Sequence, residues 1–123
     1  MKLFLPAASQ SHRSKRVAQE IQKILSHAIT NGCFPLDLEF KMTVPVTVTH
    51  VEMSNDLQHA QIFIMPLGGI EAEHHLKVLI HFIPFLRKEL SKKLYLKFTP
   101  QLSIRLDKSF DRADTVLSKM IDA

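Results

Sequence analysis

Val44 to Met53, rich in Val and Thr, and Leu57 to Pro66, which carries Ala60, Ile62 and Ile64 at alternate positions, are separated only by Ser54-Asn55-Asp56. β-Branched residues at this density suit strands. Ser, Asn and Asp suit a turn, because their short polar side chains bond back to the local backbone. So short a connection joins two strands only as an antiparallel hairpin; a parallel pair needs a crossover of a dozen or more residues. A hairpin alone is marginal in water, so other elements must cover its apolar face. In the first strand Val44, Val46 and Val48 share one parity, and Val51 and Met53 take the other. A bulge near His50 is the expected cause of that slip.

The covering elements are legible as helical stripes. Val17, Ile21, Ile24, Leu25 and Ala28 recur at helical spacing, predicting a helix from about Ser11 or Ser14 to about Thr30. Ser14 is a candidate N-cap, and Asn31-Gly32 tolerates the left-handed conformation that ends a helix. After Gly68-Gly69 a second helix starts near Ile70, with Ala72, Leu76, Leu79, Ile80 and Ile83 as its expected buried stripe. Pro84 interrupts it, since proline lacks an amide donor and clashes with the preceding turn. Leu86, Leu90 and Leu94 resume the spacing, so two helical pieces meet at a kink spanning Phe82 to Pro84. The period then changes. Leu94, Leu96 and Phe98 alternate with Lys93, Tyr95 and Lys97, and past Pro100, Leu102, Ile104 and Leu106 continue as a core-facing strand. A short last helix over Ser109 to Ile121 would bury Ala113, Val116, Leu117 and Met120. The order predicts an α+β fold: a three-stranded sheet with helices on one face.

At 123 residues the chain fits one domain, read here as residues 11–121 after a flexible N-terminus over residues 1–10. Hydrophobic residues at 46% and charged residues at 23% exclude a disordered chain. The single cysteine, Cys33, excludes an intramolecular disulfide and a multi-cysteine zinc site. The apolar patch Leu3-Phe4-Leu5 is too short for a signal-peptide core, and no apolar run approaches the roughly 18 residues of a membrane span. A cytoplasmic monomer without cofactor or metal is expected.

Charge is segregated along the chain. Residues 1–23 carry five basic residues against one acidic, residues 37–73 one against six, and residues 77–108 eight against two. Two basic blocks flanking an acidic one point to a polyanionic partner. In the first, Arg13, Lys15 and Arg16 sit at a helix start, where they oppose the helix dipole at about 0.3–1 kcal/mol each; a phosphate partner explains such a placement, and so does a solvated helix end. In the second, Arg87, Lys88 and Lys92 lie off the Leu86, Leu90 and Leu94 stripe, and Lys93 and Lys97 extend the surface with Tyr95 between them. Cations there can grip phosphates without reading sequence, and Tyr95 can stack on an exposed base. A solvated charged helix face gives the same pattern.

The element order is similar to the type II KH fold, and several segments resemble the ribosome-binding factor A family. Ser14-Lys15-Arg16-Val17-Ala18-Gln19-Glu20-Ile21-Gln22-Lys23 resembles the family's opening R-V-x-x-x-I/M-Q-x pattern, and Val51-Glu52-Met53-Ser54-Asn55-Asp56-Leu57-Gln58-His59-Ala60 its V-x-V/M-S-x-D-L-x-x-A hairpin. Phe85-Leu86-Arg87-Lys88-Glu89-Leu90, Leu94-Tyr95-Leu96-Lys97-Phe98-Thr99-Pro100-Gln101-Leu102 and Phe110-Asp111 continue the likeness. The resemblance implies a cytoplasmic assembly factor that binds the immature small ribosomal subunit, contacts its rRNA near the 5′ end, and is associated with growth in the cold. Three features depart from the family. Asn31 to Met42 is longer and lacks D-P-R-L; Phe82-Ile83-Pro84 stands where the family has Ala-x-Gly; and no polar tail follows the last helix.

KH modules clamp a nucleic-acid backbone with a GxxG loop. The three glycines here, Gly32, Gly68 and Gly69, place none between the helical pieces, so a basic helix-and-strand surface is expected instead. Gly68-Gly69 before a helix hints at a phosphate turn, but Glu71 and Glu73 would repel an anion. The seven histidines form no HExxH or similar ligand set and read as surface residues. Cys33 has no basic neighbour to activate it, so no catalytic residue is assigned. The rival reading is a protein-interaction module that meets a basic ribosomal protein through the acidic hairpin residues Glu52 and Asp56.

Overall fold

The computed structural model describes residues 12–30 and 40–108. The expected flexible N-terminus and the last helix over residues 109–121 lie outside the described residues, as does the Asn31-Gly32 helix stop.

Helix α1 (His12–Thr30) carries its apolar stripe as expected, with Val17, Ile21, Ile24, Leu25 and Ala28 all buried. Ser14 is inside the helix and fully buried, so it is not the N-cap. Strands β1 (Val46–Met53) and β2 (His59–Pro66) form the antiparallel hairpin. The register passes from Val48↔Ile64 to His50↔Phe63, leaving Thr49 unpaired. That bulge is what lets Val46, Val48, Val51 and Met53 all face the core despite their parity change. Two side chains hold it. Gln22 of α1 donates from Nε2 to the Val48 carbonyl at 3.1 Å, and the Thr49 hydroxyl donates to the Asp107 carboxylate at 2.6 Å.

A 3₁₀ turn (Leu67–Gly69) leads to α2 (Ala72–His81), and α3 (Ile83–Lys93) follows after one non-helical residue, Phe82, at φ −93°, ψ 13°. Pro84 therefore starts a new helix rather than bending a continuous one; in the first turn its missing amide costs nothing. The buried stripe of this pair is His75, Val78, Leu79, Phe82, Leu86 and Leu90. Ile80, expected in the core, is exposed, because the α2 face turned inward is the one through His75 and Val78.

Strand β3 (Gln101–Leu106) pairs parallel with β2, giving the sheet order β1-β2-β3. α1 packs across β1 and against α3, and α2 packs over β2 and β3, so the helices cover one face of the sheet. The core lies between them, with Ile21, Leu25, Met53, Ile62, Ile64, Leu79, Leu86 and Leu90 almost wholly buried. Thr47, His50, Ser103 and Arg105 are exposed. The alternation from Leu94 to Phe98 does not make a strand. His59 pairs with Gln101, so residues before Gln101 run past the end of β2, opposite the hairpin turn, and have no ladder to join.

Candidate nucleic-acid interface

In α1 the first turn holds no acidic residue, and Arg13, Lys15 and Arg16 are all exposed around the buried Ser14. On α3, burial of Leu86 and Leu90 turns Lys88 and Lys92 to solvent. Lys92 pairs with Glu89 one turn away at 3.5 Å. Arg87 is spent differently: its Nε donates to the Pro100 carbonyl at 3.1 Å and its Nη2 to the Thr99 carbonyl at 3.2 Å. The guanidinium thus ties the segment before β3 back onto α3 through two of its five N–H donors.

After Lys93 the helix ends, and Leu94 takes an extended backbone at φ −105°, ψ 120°. Along the loop Leu94 and Leu96 are half-buried, while Tyr95 is 97% exposed and Phe98 68% exposed. Phe98 was expected beside Leu94 and Leu96 in the core. It instead stands in solvent, with the Lys97 ammonium 5.5 Å from its ring centroid. The basic surface therefore runs from helix onto loop, not onto a strand. Among the described residues, Arg13, Lys15, Arg16, Lys88, Lys93 and Lys97 make no ion pair.

The fold also joins the two basic blocks. A hollow of about 260 Å³ lies between Arg13 of α1, the hairpin residues Asp56 to Gln58, and Leu96 to Phe98. Its hairpin wall is built by local hydrogen bonds. The Ser54 hydroxyl donates to Asp56 Oδ1 at 2.6 Å and accepts the His59 amide at 3.1 Å, and Asp56 Oδ1 also accepts the Gln58 amide at 3.1 Å. Leu57 sits at φ +61°, a left-handed conformation uncommon for a residue with a branched side chain. The Gln58 carbonyl accepts the Gln101 amide at 2.8 Å, locking the turn to the start of β3. Both carboxylates of the acidic-hairpin reading are thus engaged locally, Asp56 by the turn and Glu52 by His50 at 3.3 Å.

Not all histidines are at the surface. His75 is fully buried. Its Nδ1 donates to the Glu71 carbonyl at 2.8 Å, which leaves Nε2 to accept the Thr43 amide at 3.1 Å. His74 Nε2 donates to the Lys41 carbonyl at 2.6 Å, and His81 stacks on Phe40 with centroids 3.8 Å apart. Three α2 histidines thus moor the chain entering β1. Thr43 adds a hydroxyl bond to the Glu71 carboxylate at 3.0 Å. No group of three or more metal-ligating side chains occurs among the described residues, and none of their helices is long and apolar enough to cross a membrane.

Among the described residues, three helices on one face of a mixed three-stranded sheet, with a break between α2 and α3, define a KH-like α+β protein. Solved structures share the architecture: ribosome-binding factor A from Thermus thermophilus at TM-score 0.62, 17% identity and coverage of 76% of this chain and 93% of that one, and a Thermotoga maritima protein described as a ribosome binding factor A at TM-score 0.60, 28% identity and coverage of 84% and 91%. The family model for ribosome-binding factor A matches residues 13–120. Proteins of that name from Ruegeria pomeroyi and a Bradyrhizobium strain are 39% and 36% identical over 112 and 111 residues, covering 90% and 89% of this chain and 83% and 78% of theirs. The chain belongs to the ribosome-binding factor A family.

Proposed function

We propose that this protein binds the small ribosomal subunit and its rRNA through the basic surface of the α1 start, α3 and the α3–β3 loop, and that it does so without catalysing a reaction. The observation that carries the reading is the convergence of Arg13 and Lys97, neither of them ion-paired, with the exposed ring of Phe98 around one hollow. A homology model of the Thermus thermophilus ribosome-binding factor A, fitted into a map of a 30S complex with that protein, shares the fold at TM-score 0.56 and 16% identity and supports the choice of partner.

Lys15, Arg16, Lys88 and Lys92 supply further phosphate contacts, which orient the protein without reading bases. Arg87 holds the loop in place. The protein acts as a cytoplasmic monomer on the 5′ region of the rRNA, and assists late maturation and rRNA processing, with a role in cold adaptation. The physical means is differential affinity: binding one local rRNA conformation more tightly raises its population.

Ultraviolet crosslinking of the protein bound to small subunits tests this reading, with the crosslinked residues mapped. Crosslinks to rRNA within residues 13–16 and 88–98 are expected. Crosslinks confined to ribosomal proteins, or to the Glu52 side of the hairpin, would sink it.

A further inference from the structure

We infer that Phe98 is a platform on which a single unpaired RNA base stacks, its base edge entering the hollow beside Gln58 and its flanking phosphates held by Lys97 and Arg13. The inference rests on the RNA-binding reading above and specifies the site within it.

A phenylalanine 68% exposed on a loop keeps an apolar ring in water, at odds with the usual fate of such a side chain. Its surroundings match one class of partner. The Lys97 ammonium lies over the ring, 5.5 Å from its centroid, so a cation covers one π-face and a base would take the other. Single-stranded nucleic-acid sites combine these two elements, aromatic faces for bases and cations for the backbone. The adjoining hollow, about 260 Å³, lies below the roughly 300–1,000 Å³ of pockets for drug-sized ligands. It suits one base rather than the four-nucleotide strand a KH loop clamps.

Charge decides which part of a nucleotide goes where. Asp56 lines the hollow, and its carboxylate disfavours a phosphate inside. Gln58, on the same wall, offers an amide that both donates and accepts, as a base edge requires. Phosphates are left to the rim, where Arg13 and Lys97 make no ion pair. The wall is also rigid. Asp56 fixes the Gln58 amide, Gln58 fixes Gln101, and Leu57 is held at φ +61°. Strain held at a position of this kind is a mark of functional sites. The site lies at the C-terminal end of α3, about 16 Å along the helix from the break at Phe82, so it is separate from the kink where a KH loop would act.

The test measures affinity of the full chain for purified small subunits and for naked small-subunit rRNA, with Phe98→Ala, Phe98→Leu and Phe98→Tyr variants. Phe98→Ala and Phe98→Leu should weaken both interactions about five- to 150-fold, the equivalent of the roughly 1–3 kcal/mol of one base–aromatic stack. Phe98→Tyr should bind as the parent does. The salt slope should be the same in all four proteins, because a stack releases no counterions, whereas Lys97→Gln should flatten it by about one phosphate. Single-stranded oligoadenylate should compete with rRNA, and a duplex of equal length should not. Retention of affinity by Phe98→Leu, or equal competition by the duplex, would overturn the stack. Loss of subunit binding by Phe98→Ala with naked rRNA binding intact would mean a protein contact, and also overturn it. If the unaltered chain binds no RNA, the broader reading fails, and that outcome is distinct from these.

Discussion

His75 occupies a fully buried position on α2 that an aliphatic side chain could fill without any hydrogen-bond requirement. Its imidazole serves three backbone groups at once, the Glu71 carbonyl and the Thr43 and Val44 amides. His75→Ala should cost about 2–4 kcal/mol in urea unfolding, from the cavity together with the stranded Thr43 amide. His75→Phe, which keeps the volume, should recover only part of that loss. Arg87 presents the same logic at the surface. Its fork bonds two successive carbonyls, so Arg87→Lys is not conservative, and it should destabilise the fold by roughly 1.5–3 kcal/mol in the same assay. Neither role is visible in sequence. A histidine beside polar neighbours reads as a surface residue, and an arginine off an apolar stripe reads as a phosphate ligand. What engages each is a backbone group distant along the chain, Thr43 for the one and Pro100 for the other.

At the level of the elements, α3 has two ends with different duties. Pro84 lies in its first turn, where no intrahelical amide is needed, so Pro84→Ala should shift stability by less than about 1 kcal/mol, against the ~3 kcal/mol of a proline in a helix interior. Subunit affinity of that variant should stay within about twofold of the parent, since the basic surface is built around the other end of the helix. A tenfold loss would return the kink to the binding site. Lys92 and Lys93 occupy the last turn, where cations also offset the helix dipole. Lys92→Glu with Lys93→Glu should abolish cosedimentation with small subunits, at a stability cost of about 1–2 kcal/mol from the dipole. The Lys92→Gln, Lys93→Gln pair should weaken binding with a smaller stability change. Element identity was largely legible: the α1 stripe, the hairpin and the bulge each follow from apolar spacing. The Leu94 to Phe98 stretch was not. Its alternation is real, with Leu94 and Leu96 turned partly inward, but whether it pairs depends on where β2 begins, and that is a matter of register between distant segments.

Over the whole molecule, the fold brings ends of the two basic blocks together at the hairpin turn, with Arg13, Lys97 and the acidic Asp56 lining one hollow. If six phosphates are neutralised, the log–log slope of affinity against salt should be near −5, taking about −0.9 per phosphate from B-DNA. A nearly flat slope on naked rRNA would contradict a phosphate-led grip. That a polyanion would suit this chain as a partner could be read from composition along the chain. That Arg13 and Lys97 face the same hollow could not, because helical and strand periodicities describe each segment against the core and say nothing of which segment ends meet.

The parallel pairing of β3 with β2 has a consequence in time. The hairpin joins neighbours in sequence, but β3 reaches β2 only after the chain has passed through both α2 and α3. Contacts that close so long a loop are entropically slow to form. During synthesis, α1 and the hairpin leave the ribosome early, while Lys97, Phe98 and the Gln101 amide that fixes the turn emerge late. A chain still being made therefore presents Arg13 and the turn without the facing wall, and pulse-labelled hydrogen exchange should find β1–β2 amides protected before those of β3. On the binding surface proposed above, competence would arrive with β3, and a half-made copy would not compete with finished ones for the subunit.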